Sequence, residues 1–119
     1  MAAVNIVNVT SILPFTINGA VTTSNQDIID VPADKLYKVN TILISNIDGT
    51  NAADITVSIS TDNGSTSRSI ASTISVPADS TLSLLSTTLY LDETDLLKIQ
   101  GSANNDLEYT VSGEILDDA

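Results

Sequence analysis

Two stretches of this chain alternate between apolar and polar residues with a period of two, and no window of about 11 residues or more carries a helical stripe. In Asp54-Ile55-Thr56-Val57-Ser58-Ile59-Ser60 the odd positions are apolar and the even ones polar. In Leu107-Glu108-Tyr109-Thr110-Val111-Ser112-Gly113-Glu114-Ile115 the same parity holds, with Gly113 as the one gap. Successive side chains of an extended strand point to opposite faces, so each run has one face on a core and one in water. Composition points the same way. With 15 Ser and 15 Thr among 119 residues, and Ile and Val added to the Thr, about a third of the chain is β-branched. Such side chains are stiff at χ1 and fit a pleated surface better than a helix.

Further strands follow from weaker patterns. Residues 36–47 begin by alternating and then run Ile42-Leu43-Ile44, the mark of a strand covered on both faces in its second half. Residues 69–76 put Ile70, Ile74 and Val76 on one side, and Leu96 opens a short strand. Between Leu82 and Leu91 the apolar parity flips, which implies a bulge or a crossing from one sheet to the other. Residues 4–9, 13–18 and 27–31 are candidate strands as well. Asp48-Gly49 and Asn63-Gly64 supply positive φ for tight turns. Val-Pro-Ala-Asp occurs at 31–34 and again at 76–79, one strand-linking device used twice. The acidic turn Asp92-Glu93-Thr94-Asp95 has room for one helical turn.

Eight or nine short strands separated by turns describe an all-β, two-sheet β-sandwich, jelly-roll or immunoglobulin-like, with an extended N-terminal arm. Residues 26–119 form the sandwich domain. Residues 1–25, dense in Asn, Thr and Ser with no constant register, form an arm or edge strand.

Chemistry is limited by what is missing. The chain has no His and no Cys, which removes the usual general base, the usual zinc ligands and any thiol nucleophile. Ser and Thr nucleophiles have only Lys35, Lys38 and Lys98 as conceivable bases, and there is no nucleophile elbow or Gly-rich phosphate loop. The expectation is a protein that is not an enzyme and takes no cofactor. A formal charge of −11 repels phosphate backbones, so no nucleic-acid partner is expected. No apolar run is long enough for a membrane span, and Met1-Ala2-Ala3-Val4-Asn5 has no signal-peptide pattern, so no membrane partner is expected. Asp92, Glu93 and Asp95 read as solvated charge rather than a catalytic pair. Asp48-Gly49-Thr50-Asn51 and Asp62-Asn63-Gly64-Ser65 carry oxygen ligands but read as hairpin chemistry rather than calcium loops. Tyr37, Tyr90 and Tyr109 sit among apolar neighbours and read as core rather than as platforms for sugar rings.

Three segments have a shared look. Val76-Pro77-Ala78-Asp79-Ser80-Thr81-Leu82, then Leu89-Tyr90-Leu91-Asp92-Glu93-Thr94-Asp95-Leu96-Leu97-Lys98, then Asn105 to Glu114, together with the long strand Tyr37 to Asn46, resemble small virion proteins of tailed bacteriophages. Thr94 stands where that group often has Gly before the Asp of its acidic turn. The resemblance implies a structural role: a capsid decoration or cement subunit, or a neck or tail accessory subunit. It implies other virion proteins as partners (major capsid, tail or neck subunits), and assembly in symmetric copies or as a homo-oligomer. A glycan-binding module for host attachment is the alternative from another class.

The charge is uneven, since residues 92–119 hold 8 of the 15 acids. That end is therefore expected to face solvent, on the outer surface of a virion. Partner contact then falls to the more neutral N-terminal part. The candidate interface is Val4, Ile6, Val7, Val9, Ile12 and Phe15, joined by Arg68, the only arginine.

Overall fold

The two longest strands, β3 (Lys35–Asn46) and β9 (Leu107–Asp117), pair antiparallel along their whole length. The computed structural model describes residues 3–118, and among them seven further strands surround this pair. They are β1 (Ser11–Ala20), β2 (Gln26–Asp30), β4 (Ala53–Ser60), β5 (Arg68–Val76), β6 (Thr81–Ser83), β7 (Leu89–Leu91) and β8 (Leu96–Gly101). One sheet runs β1-β9-β3-β6, with β7 on the same edge of β3 as β6; the other runs β2-β8-β4-β5. Every pairing is antiparallel. The chain changes sheet at every connection except β4–β5 and β6–β7. This strand order is that of a jelly roll, so the immunoglobulin-like alternative does not apply. Val39, Ile42, Ile44, Leu107 and Val111 of the first sheet bury completely against Ile55, Val57, Leu97 and Ile99 of the second.

The two clean alternations sit where their parity predicts. Ile55 and Val57 of β4, and Leu107 and Val111 of β9, have no exposure. The parity flip near residue 85 has a local cause. Val39 pairs with Gly113 but Thr41 pairs with Ser112, so Asn40 is an extra residue in β3. Core positions are Val39 before this bulge and Ile42 and Ile44 after it. The edge opposite must change parity at the same level. β6 sets Leu82 against Ile44, β7 sets Leu89 against Val39, and residues 84–88 leave the strand between them. The chain therefore stays in one sheet and does not cross. Leu43 is only half-buried, so the second half of β3 is covered on one face rather than both.

Gly113 is the gap in the β9 alternation because the β3 bulge leaves no room for a side chain there. A Cβ at this position would run into the Lys38 carbonyl.

β5 departs from its expected pattern. Ala71 and Val76 are buried, while Ile70 and Ile74 are 40% and 41% exposed. Two register shifts against β4, and Thr73 in the left-handed region at φ 52°, break the strand's parity. Residues 4–9 form no strand. The Asn5 side chain accepts from the Val7 N–H and starts a 3-10 turn at Ile6–Asn8. The Asn63-Gly64 turn has positive φ at both residues, 59° and 90°. At Asp48-Gly49 the bend comes instead from the Asp48 carboxylate, which accepts from the N–H groups of Thr50 and Asn51. Both Val-Pro-Ala-Asp strings carry the chain from the second sheet to the first, with their Asp residues at φ 66° and 57°.

Replacing Gly113 with Ala is expected to cost about 2–3 kcal/mol, the scale of forcing an atom into a close-packed contact. Urea unfolding measures it; a loss under about 0.5 kcal/mol contradicts the close approach of β3 and β9.

Candidate functional site

The pairing registers place the start of β1, the end of β9 and the 31–34, 61–67 and 92–95 connections at one end of the sandwich. At this end the acidic turn forms a clasp and not a helical turn. The Asp95 N–H donates to the Asp92 carbonyl at 3.0 Å, closing a β-turn with Thr94 at φ 65°. A left-handed backbone at this position suits Gly better than the Thr that stands there.

Each carboxylate of the turn accepts from backbone. Asp92 takes the N–H groups of Val4 (3.1 Å) and Glu93 (2.8 Å). Glu93 takes Asp34 (3.0 Å), and Asp95 takes Asp92 (2.8 Å). Val31 and Thr94 add backbone bonds between the two connections. Glu93 and Asp95 are only 9% and 7% exposed, so these acids are structural fasteners and not the solvated face that their clustering suggests. Burial raises the Asp95 pKa above its ordinary value, the Asp92 backbone bond opposes this, and the Asp92 charge adds to it. The C-terminal acids are also engaged: Lys35 pairs with Asp117 at 2.6 Å and Lys38 with Glu114 at 3.7 Å.

The calcium-like loops use their carboxylates in the same way. Asp62 accepts from the Thr66 N–H (2.8 Å) and the Ser60 hydroxyl (2.9 Å), which hold its pKa below the ordinary value. The Thr50 and Asn51 N–H groups do the same for Asp48. Among the described residues no three His, Cys, Asp or Glu side chains come together as a metal site. Tyr37 and Tyr109 pack against the core, but Tyr90 is 53% exposed, on the face of the sheet opposite the core. Its strand neighbours Leu89 and Leu91 take the inward positions.

The expected interface residues divide by environment. Ile6, Val7 and Ile12 are 61%, 85% and 57% exposed, and Leu13, unnoticed in the pattern, is 63% exposed beside them. Val4 and Val9 are half-buried. Phe15 is half-buried against the core, its ring 5.2 Å from that of Tyr37. Arg68 is exposed at the same end but in the other sheet, lining a shallow groove with Ile59, Thr61, Asp62 and Thr66. No carboxylate among the described residues forms an ion pair with it.

β1 is an edge strand, paired with β9 on one side only. The Val21 N–H donates to Leu107, so 21 and 107 are a hydrogen-bonded pair. Antiparallel pairs alternate, hence the odd residues of β1 turn their backbone groups to β9 and the even ones turn theirs outward. Pro14 falls on an even position, where its missing N–H costs no ladder bond. A proline inside an alternating run was the available signal for this edge.

No protein-family model matches the chain, and no curated protein matches it. Among solved structures it is similar to a chain of the Bacillus endospore appendages, disulfide-linked pili. That match has 16% identity and a TM-score of 0.55, over 92% of this chain and 88% of the other. It is also similar to a chain of the IBDV T13 viral particle, at 10% identity and a TM-score of 0.52. The match covers 92% of this chain, which spans about a third of that longer one (32%). These likenesses establish the shared fold.

The two classes of carboxylate titrate in opposite senses. Asp95 has a raised folded-state pKa, so its ionised form opposes folding at neutral pH and the penalty is relieved as pH falls through that value. Asp95→Asn keeps an acceptor for the Asp92 N–H and is expected to raise the melting temperature at pH 7 by roughly 2–4 °C, the gain fading in acid. Asp62 has a lowered pKa, so its contribution is present above 3.8 and is lost as pH falls through the folded value. Asp62→Ala is expected to lower the melting temperature at pH 7, and the difference from the parent is expected to shrink as pH falls below 3.8. Thermal unfolding across pH checks both; a destabilised Asp95→Asn at pH 7, or a pH-independent loss in Asp62→Ala, contradicts these roles.

Proposed function

We propose that this chain is a non-enzymatic structural subunit of a virion, one that works by presenting surfaces to other coat subunits. The observation that carries this reading is the N-terminal surface. Exposed aliphatic side chains at Ile6, Val7, Ile12 and Leu13 adjoin an open edge strand, and no charged side chain occurs before Asp27 in a chain of net charge −11. Fold likeness adds support, because the similar chains come from a viral particle and from pili, both built from repeated subunits. This chain has no cysteine, so its own contacts within such an assembly are not disulfide-linked.

Within that role the reading is a decoration or cement subunit on the outer face of a tailed-phage capsid. An acid-rich subunit is repelled by packaged DNA and tolerated on the outside. A neck or tail accessory subunit is the alternative within the virion. Gold-labelled antibody on intact particles is expected to mark regular positions on the shell; absence of the chain from purified particles overturns the reading. A triple variant, Ile6→Ser, Val7→Ser and Ile12→Ser, is expected to melt within about 2 °C of the parent and to bind particles roughly tenfold more weakly. Undiminished binding removes these residues from the interface.

One observation favours glycan binding as a second reading: Tyr90, an exposed aromatic beside Lys38 on the outer face of the sheet. Glycan-array binding that Tyr90→Ala abolishes supports it, and an array without signal removes it.

A further inference from the structure

A sandwich of two open sheets has four edges, and three of them are blunted. β2 is five residues long, carries Asp27 and Asp30, and has a register break between Asp27 and Ile29. β5 has two register shifts, left-handed Thr73 and the charged Arg68. The β6/β7 edge is two three-residue pieces with residues 85–88 out of the ladder. Short strands, charges and bulges are the devices that keep edges from pairing with other chains. β1 has none of them. It is ten residues long, pairs with β9 in one unbroken register, carries no charge, and is guarded only by Pro14.

We infer that β1 joins a second copy of this chain, the two β1 strands pairing antiparallel about a two-fold axis at Thr16 to make one continuous sheet. This rests on the assembly role proposed above and names the surface that performs it. The outward backbone groups are those of Ile12, Pro14, Thr16, Asn18 and Ala20, so a partner strand must match even positions to even positions. Centring the axis on Thr16 uses the whole strand: Ile12 faces Ala20 of the other copy, Pro14 faces Asn18, and Thr16 faces Thr16. Only the missing Pro14 N–H leaves gaps in the ladder.

Side chains agree on both faces. Phe15 and Ile17 are half-buried at the margin of the core, and the pairing sets Phe15 of one copy beside Ile17 of the other, completing the cover of both. The opposite face brings together Ile12, Thr16, Asn18 and Ala20, with no ionisable group among them.

Charge at this edge permits a copy of the same chain. Two molecules at −11 repel wherever their acids meet, and the stretch before Asp27 is the longest that brings none. A two-fold contact also needs a strand complementary to itself, which an uncharged and evenly alternating β1 is.

Sedimentation equilibrium of the intact chain tests this together with Thr16→Lys. That substitution sets two like charges directly opposite each other across the axis, where they destabilise pairing. Within one copy, position 16 is exposed. The parent is expected to sediment as a dimer at high micromolar concentration. Thr16→Lys is expected to raise the dissociation constant at least tenfold with its melting temperature within about 2 °C of the parent. As a second measurement that does not depend on that variant, a nitroxide on Thr16→Cys, the sole cysteine, is expected to show strong spin–spin broadening that dilution with unlabelled protein removes. A parent that is monomeric at all concentrations overturns the inference, as does a dimer that survives Thr16→Lys or shows no broadening at 16. None of those results touches the virion reading, which stands or falls on whether the chain is found in particles.

Discussion

The pairing of β3 with β9, and the single extra residue within it, is the constraint on which the rest of this structure depends. A two-residue repeat allows a strand to keep one face on the core only while its register is unbroken. Asn40 breaks the register of β3, so Val39 and Ile42 both reach the core although they differ in parity. Each neighbour answers this in its own way. β9 answers with Gly113, where the bulging backbone comes too close for a side chain. The opposite edge answers by leaving the ladder at residues 85–88 and returning with the other parity. One inserted residue thus accounts for a glycine, a broken strand and the parity flip between Leu82 and Leu91.

Polar groups inside and at the ends of the sandwich are committed to the backbone. Asn46, 3% exposed, donates to the carbonyls of Asn51 and Val76 and accepts from the Asp48 N–H, tying the end of β3 to the 47–52 connection and to the end of β5. Asp92, Glu93 and Asp95 serve the opposite end in the same manner. A buried carboxylate is tolerated where N–H groups replace its water, as they do here. Acids used in this way are spent on holding connections together, and β1 itself carries no charged side chain. The exposed side chains of β1 include Ile12, Leu13, Pro14, Thr16 and Asn18, none of them charged.

Much of this was legible in the residues. The alternations at 54–60 and 107–115 placed β4 and β9 and their inward faces, and the repeated Val-Pro-Ala-Asp marked two links between strands. What escaped has a physical reason in each case. The burial of Glu93 and Asp95 depends on Val4, Val31 and Asp34 arriving from distant parts of the chain, and no local pattern reports such an arrival. Ile70 and Ile74 look inward by spacing, but the twist in β5 at Thr73 makes spacing a poor guide there. Tyr90 has apolar neighbours in sequence only. Residues 4–9 read as a strand because their apolar positions alternate in part, yet the Asn5 side chain captures the Val7 N–H first. Strand order lies beyond any local signal, and it is what separates the jelly roll from the immunoglobulin-like arrangement.

Amide hydrogen exchange along β1, followed by NMR as a function of protein concentration, tests most directly the claim that this molecule acts through its open edge. The odd amides, such as Ile17 and Gly19, bond to β9 and should be protected at every concentration. Thr16 and Asn18 should exchange freely in dilute protein and become protected as the concentration rises into the range where copies pair. Free exchange at Thr16 and Asn18 at all concentrations contradicts the account and leaves the β1 edge without an occupant of its own kind.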